Sequence, residues 1–310
     1  MTDGTVLDLL DPDEATLLQV LPATLHDAAL HRILARPRPD RDPRPRLDSH
    51  GEYIFGVLVV PTPDGERHSV YYQELNVVLT LERLVVIRKT PLEGTPFDID
   101  AVVKHCDRTQ SAPGHALFHL FNEIAEHYLD LIDTINEDID QLEDDVNTMR
   151  SSDVRERLSV IRHDILHIRR TLAPTRDAAR SVLDGRLDIM GTAQDGSQIE
   201  LFPREIELHF ADAYDKLLRA VDGLDLSRDL IAGVRDYHQS KIANDQNEVM
   251  KRLTIVSSLL LPPTFVVGLY GQNFVDIPEL RWHLGYEFSW ALILVSTIGQ
   301  VIYFRRRGWL

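Results

Sequence analysis

The stretch Leu253–Tyr270, LTIVSSLLLPPTFVVGLY, decides the fold. It carries no charge over eighteen positions. As a helix it covers ~27 Å, close to the hydrocarbon thickness of a bilayer. A second uncharged run, Phe288–Phe304, ends in Arg305, Arg306 and Arg307. The alternative is a buried hairpin in a soluble core. Such a hairpin rarely holds two uncharged runs of this length, one closed by three arginines. Two membrane spans are therefore expected. Lys251 and Arg252 precede the first span, and the loop between the spans holds Arg281 against Asp276, Glu279 and Glu287. The positive-inside rule then places both termini in the cytoplasm and the short acidic loop outside.

Outward from this pair the chain is polar. Its net charge of -16 argues against nucleic acid as a partner and suits a protein that attracts cations. A single cysteine, Cys106, excludes an intrachain disulfide framework and fits a reducing compartment. The acidic N-terminus lacks the basic region of a secretory signal.

Residues 1–112 read as a mixed α/β domain. Short helices are expected over Asp13–Leu18 and Leu25–Leu34, and an extended loop over Pro37–Arg46. Strands follow over Tyr53–Val60, Ser69–Thr80 and Leu84–Arg88, the first two joined by a turn at Pro63-Asp64-Gly65. A helix is expected over Ile99–Cys106. From Pro113 apolar residues recur every three or four positions to Val146, one long amphipathic helix. A second runs from Ser152, with Ser152-Asp153 as N-cap, to Leu183, so residues 113–202 form an antiparallel helix pair. Gly185–Ser197 reads as a loop.

Pro203 opens a stalk helix, 203–252, that need not stop before the first span, 253–273, ends. Pro262 and Pro263 lie inside that span and loosen it locally. A helix over 203–270 is ~100 Å long. One chain cannot bury such a rod, and one hairpin (spans 253–273 and 288–304, loop 274–287, basic tail 305–310) encloses no pore. A bundle of copies solves both problems.

Steps of three and four along one face of the rod give Asp236, Ser240, Ala243, Asn247, Met250, Thr254, Ser257, Leu261, Thr264, Gly268 and Gly271. The row is small or polar, interrupted by Met250 and Leu261 with Leu253 beside it. Turned inward in a bundle, it makes a wet tube with apolar narrowings; the other reading is plain helix packing. Gly271-Gln272-Asn273 ends the row. A ring of Asn273 amides offers oxygens to the water shell of Mg²⁺, which dehydrates reluctantly. Glu279 in the outer loop can concentrate cations.

Together these residues resemble the CorA family of divalent metal ion transporters. The motifs are Asn247-Glu248-Val249-Met250-Lys251, Leu253-Thr254-Ile255, Pro262, Thr264-Phe265, Tyr270-Gly271-x-Asn273-Phe274, Pro278-Glu279-Leu280-Arg281-Trp282, Gly285-Tyr286 and the basic C-terminus. The resemblance implies a funnel-shaped homopentamer: an α+β cytoplasmic domain, long helices, a pore-lining first span and a second span outside it. It matches Asn273 to the asparagine that binds hydrated Mg²⁺ at the pore mouth. Thr264, Leu253, Met250, Asn247 and Asp236 match pore-lining positions, and Lys251, Arg252 and Arg305–Arg307 a basic collar. Asp212 matches a regulatory metal site between subunits. Two departures stand out. The family's usual triplet is Gly-Met-Asn, whereas Gln272 stands here, as variants do in zinc-transporting relatives. An acidic pair in Mg²⁺-sensing members corresponds to His31 and Arg32, so an Arg32 ion pair with a neighbour's Asp212 and weakened Mg²⁺ gating are expected.

His115/His119 and His163/His167 have zinc-compatible four-residue spacing, but neither pair has a third ligand beside it in sequence. The acidic run Glu137–Asp145 reads as a solvated face. Nothing resembles a P-loop, a Rossmann glycine motif or a nucleophile elbow, so neither nucleotide-driven pumping nor an enzyme is expected. The sequence thus points to passage of divalent cations, Mg²⁺ first and Co²⁺ or Ni²⁺ as lesser substrates, across the cytoplasmic membrane. No prosthetic group is expected, and the cation is substrate and regulator. The partners are further copies of the chain and the bilayer. The alternatives are a zinc transporter, proton-coupled or not, and a non-conducting membrane-anchored scaffold.

Overall fold

The computed structural model describes residues 4–36, 44–64, 69–91, 94–187, 189–192, 198–273 and 277–310. Two compact units divide the chain, Met1–Arg235 and Asp236–Leu310.

The first unit is built on a five-stranded sheet. Its strands are β1 (Val6–Leu10), β2 (Arg46–Ser49), β3 (Ile54–Asp64), β4 (Ser69–Leu79) and β5 (Leu84–Arg88). Their order is β1-β5-β4-β3-β2, antiparallel except for β1 beside β5. Alternation along β3 separates two cores. Tyr53, Phe55 and Val57 face the short helices α1 (Glu14–Val20) and α2 (Asp27–Leu34), whereas Ile54, Leu58 and Val60 join the core of the long helices. Gly56 is required there, since a Cβ would lie 2.4 Å from the Leu47 side chain.

Sequence reading misses β1 and β2. It also ends the first hairpin strand too early, for Pro63 and Asp64 belong to β3 while Gly65 lies outside the described residues. Among the described residues β2 pairs only with 54–57, so Pro61 and Pro63 lie beyond that pairing, where proline's missing N–H is tolerated. Most of the expected 37–46 loop also lies outside the described residues, and its last residue, Arg46, begins β2.

After α3 (Asp100–Thr109) come α4 (Pro113–Asp145) and α5 (Ser151–Leu183), joined by a tight turn. The fully buried Tyr128 of α4 donates its hydroxyl to the Val59 carbonyl at 3.2 Å, pinning the helix to the sheet. The N-cap of α5 is Arg150, not Ser152-Asp153. The Asp153 carboxylate is already in the first turn, taking bonds from Ser152 Oγ at 2.7 Å and Arg150 Nε at 3.0 Å. The expected 185–197 loop contains β6 (Met190–Thr192), which pairs with β7 (Gln198–Glu200).

Helix α6 (Arg204–Tyr270) is continuous for 67 residues and runs from the first unit into the second. Within the first unit it buries Phe210, Ala213, Leu217, Ala220, Leu224, Ile231 and Val234, a row at three- and four-residue spacing. Ser227 Oγ meets Asn136 Oδ1 of α4 at 2.6 Å. The second unit comprises the remainder of α6, a 3₁₀ turn at Pro278–Arg281 and α7 (Gly285–Arg306). Their apolar stretches are both long enough to cross a membrane.

Candidate ion pathway

In the second unit, α6 has two faces. Ile255 and Val266 are buried, with Leu259 and Pro262 half-buried between them at spacings of four, three and four. Two residues further along, about 200° round the helix, lie Ser257, Leu261, Thr264 and Gly268. Every position of the predicted stripe, from Asp236 through Asn247, Met250, Thr254 and Leu261 to Gly271, is exposed. The covered positions thus lie opposite the small and polar row, while the large apolar Val256, Leu260, Phe265 and Val267 are exposed as well.

The span stays helical through Pro262 and Pro263, although these remove the N–H groups due to the Ser258 and Leu259 carbonyls. Thr264 and Thr254 fold their hydroxyls back onto the Leu260 and Met250 carbonyls at 2.7 and 2.8 Å. The hydroxyl oxygens keep lone pairs free to accept from water. Met250, Leu253 and Leu261 are 59, 58 and 72% exposed, so the large apolar members of the row are uncovered too.

Helix α6 ends at Tyr270. Gly271 N–H bonds the Val267 carbonyl at 2.9 Å and Gln272 N–H the Leu269 carbonyl at 3.4 Å. Asn273 follows, exposed, in irregular backbone. The negative end of a helix dipole, about half an elementary charge, thus sits beside the Asn273 amide. Both favour a cation. Glu279 is half-buried in the 3₁₀ turn after residues 274–276, which lie outside the described residues together with the Phe274 of the motif.

Aromatic side chains flank α7 at both ends. Trp282 meets Phe288 at 5.6 Å between ring centroids, and Trp309 stacks on Phe304 at 5.7 Å. Two aromatic girdles separated by an apolar helix suit a membrane with two interfaces. At the basic end Lys251 Nζ donates to the Gly308 carbonyl at 2.9 Å, Arg252 pairs with Glu248, and Arg307 lies over the Tyr303 ring.

Other predicted residues lie in the first unit. Asp212 is exposed on α6, in a groove of about 520 Å³ that it shares with Phe118, Asn122, Asp215, Lys216, Leu218 and Arg219. Lys216 is held by Asn122 Oδ1 at 2.8 Å and by Glu126. Arg32, expected to face a neighbour's Asp212, bonds Glu74 of its own chain at 3.2 Å. Glu74 also pairs with Lys89, whose pKa burial pushes down. Cys106 is buried, and burial pushes its thiol pKa up.

The histidines depart most from the sequence reading. His115 and His119 are joined by His209 of α6, 5.3 Å from His115, and by His105 of α3, 4.4 Å from His119. Only the i,i+4 pair is visible in the sequence. Burial, reinforced by the neighbouring imidazoles, lowers the His119 pKa to about 4. His163 and His167 stay a pair at 4.1 Å, with Tyr72 stacked on His167. Between them in sequence Asp164 is buried, which raises its pKa to about 6.

Residues 7–306 match the family described as CorA-like Mg²⁺ transporter protein. The cobalt/magnesium transport protein CorA of Thermotoga maritima is 28% identical over 270 residues, 86% of this chain and 73% of that protein. The putative metal ion transporter YfjQ of Bacillus subtilis is 27% identical over 266 residues, 86% and 78% of the two chains. Among solved structures, the CorA magnesium transporter of Methanocaldococcus jannaschii has a TM-score of 0.76 at 20% identity, over 98% of this chain and 91% of that one. Full-length CmaX has a TM-score of 0.70 at 22% identity, over 97% and 87%. Such identities speak to fold, and the fold they share is an α/β domain followed by long helices and two apolar C-terminal helices. With a family match running from β1 to the end of α7, this chain belongs to the CorA-like Mg²⁺ transporters, a family of membrane transporters and not of enzymes.

Proposed function

We propose that five copies of this chain form a pore that conducts divalent cations, Mg²⁺ first and Co²⁺ or Ni²⁺ less well, across the cytoplasmic membrane. Both termini lie in the cytoplasm, and the cations move down their electrochemical gradient. An interior-negative potential favours entry by about 2.3 kcal/mol per charge per 100 mV. The observation that carries this reading is the row itself, small and polar positions recurring at helical spacing through an otherwise apolar span, opposite its two buried positions. Lipid gives no reason to sort polar from apolar positions so regularly, whereas water enclosed by several copies does. Gly268 on α6 and Gly299 on α7 support close approach by other helices, since a Cβ at either would meet open space within the chain. Helix-interior glycine costs about 1 kcal/mol, a cost that close helix packing can offset.

The roles follow. Asn273 with Gly271 and Gln272 receives the hydrated ion, and Glu279 raises its local concentration. Thr264 and Asn247 offer hydroxyl and amide oxygens to its water shell. Asp236 adds charge at the inner end. Met250, Leu253 and Leu261 form apolar constrictions that close by dewetting. Asp212 is a regulatory site for the transported ion. With Arg32 committed to Glu74 and no acidic pair at 31–32, Mg²⁺ closes the pore weakly.

One observation favours a second reading. Gln272 replaces the usual methionine of the triplet, which suits Zn²⁺ transport, with or without proton coupling. Uptake of Mg²⁺ against Zn²⁺ by the purified protein in vesicles, with and without a pH gradient, separates them. Mg²⁺ uptake indifferent to the gradient is the expected result; Zn²⁺ uptake driven by it establishes the second reading instead.

A further inference from the structure

The first unit brings four half-buried histidines together from three helices. His105 stands near the end of α3, His115 and His119 on the first turns of α4, and His209 on the first turns of α6. The approach is built into the backbone. A Cβ on Gly114 would lie 2.3 Å from the Leu201 carbonyl, so only glycine lets the start of α4 press against the chain entering α6. That contact sets His115 beside His209. Phe118 packs on both His119 and His209, at 5.0 and 5.1 Å, and backs the cluster with apolar surface.

Successive ring centroids are 4.4 Å (His105–His119), 6.5 Å (His119–His115) and 5.3 Å (His115–His209) apart. Two imidazoles on one tetrahedral Zn²⁺, with Zn–N bonds of about 2.0–2.1 Å, hold their centroids about 5 Å apart. The observed spacings bracket that value. Among the described residues no three such side chains yet surround a common point. The helices supply the frame, and a bound ion would have to draw the rings together by rotation about their side-chain torsions. Arg108 donates towards His105 Nδ1 at 3.5 Å, which keeps that ring's proton on Nε2, so His105 ligates only when this contact gives way. Burial and then His209 push the His115 pKa down, and Glu205 opposes them as a nearby negative charge that also suits a dication.

We propose that His115, His119 and His209, with His105 as fourth ligand, form a site in the N-terminal unit for a borderline transition-metal ion such as Zn²⁺, Co²⁺ or Ni²⁺. An all-imidazole site selects against Mg²⁺, which requires oxygen ligands. The site is therefore distinct from the ion pathway and does not depend on its reading. A bound ion cross-links α3, α4 and α6 in the unit that also carries Asp212. The fold thereby gains a response to transition metal that is separate from its response to Mg²⁺.

The test is Zn²⁺ binding to the full-length protein in detergent, in competition with a chromogenic chelator and with Mg²⁺ in large excess to fill oxygen sites. One Zn²⁺ per chain is expected. His119→Gln and His209→Gln, on different helices, should each weaken binding by at least about tenfold, while His163→Gln, in the separate histidine pair of α5, leaves it unchanged. Thermal unfolding adds a second readout: Zn²⁺ raises the midpoint of the unmodified protein and not of either histidine variant, whose metal-free midpoints show whether they fold. Zn²⁺ affinity equal in the unmodified protein and both variants, or no Zn²⁺ retained by the unmodified protein, overturns the proposal.

Discussion

The two units use the same apolar residue types and treat them oppositely. In the first, Leu117, Leu120 and Phe121 are wholly buried. In the second, Phe265, Leu261 and Val295 are 68, 72 and 71% exposed. Leaving such a side chain in water forgoes about 1.5–3 kcal/mol. The second unit repeats that loss along both helices, so its surroundings cannot be water alone. A chain that completes one core internally and leaves the other uncovered has its second core supplied from outside, by the membrane and, in the proposed assembly, by further copies.

The contrast breaks most plainly under truncation. Phe121→Ala should cost about 3–5 kcal/mol, from lost transfer energy and an unfilled cavity. Leu261→Ala should cost clearly less, because most of that side chain is already uncovered within the chain. Denaturant unfolding of the purified protein compares the two, and equal costs would erase the distinction. Next in size is Gly268→Val. A side chain there has open space within the chain, so unfolding should scarcely move. In the proposed pentamer, five such side chains on a shared axis should cut Mg²⁺ uptake by at least about tenfold, roughly 1.4 kcal/mol in barrier. Unchanged uptake would mean that the small and polar row faces something other than the ion.

The smallest effect is pH dependence in the first unit. The His119 pKa falls from 6.5 to about 4 on folding, because burial and three nearby imidazoles disfavour the cation. The unfolded chain takes that proton first, so stability is full above pH 6.5 and erodes as pH falls towards 4. Asp164 runs the other way. Burial raises its pKa from 3.8 to about 6, so its contribution is full below pH 3.8 and lost as pH rises through 6. Asp164→Asn removes only the second effect. Its unfolding midpoint should exceed that of the unmodified protein at pH 7.5 and approach it at pH 4; an equal gain at both values would exclude the ionisation of Asp164 as the cause.

How far the fold could be read depended on the range of the interactions that make each element. Helix α6 was legible because its determinants, an opening Pro203, no further proline before Pro262 and the uncharged run after Arg252, all lie on the element itself. β1 was not, because Asp8 interrupts a five-residue run and is accommodated by Arg88, eighty positions away. β2 has four residues beside a proline- and arginine-rich stretch, and β6 three; neither is long enough for a period to show. The same distinction governs the sites. The stripe from Asp236 to Gly271 follows one helical period and could be written down from the chain. Arg32 meets Glu74, and His209 meets His115, only because the sheet and the helices bring distant segments together.

The central claim is that α6 turns its uncovered row towards a shared aqueous axis with Asn273 at the mouth. The most direct measurement is Mg²⁺ entry into vesicles loaded with a fluorescent Mg²⁺ indicator, comparing the unmodified protein with Asn273→Ala at equal protein per vesicle. The account predicts that entry through Asn273→Ala falls to the rate of protein-free vesicles. Entry at the unmodified rate would contradict it.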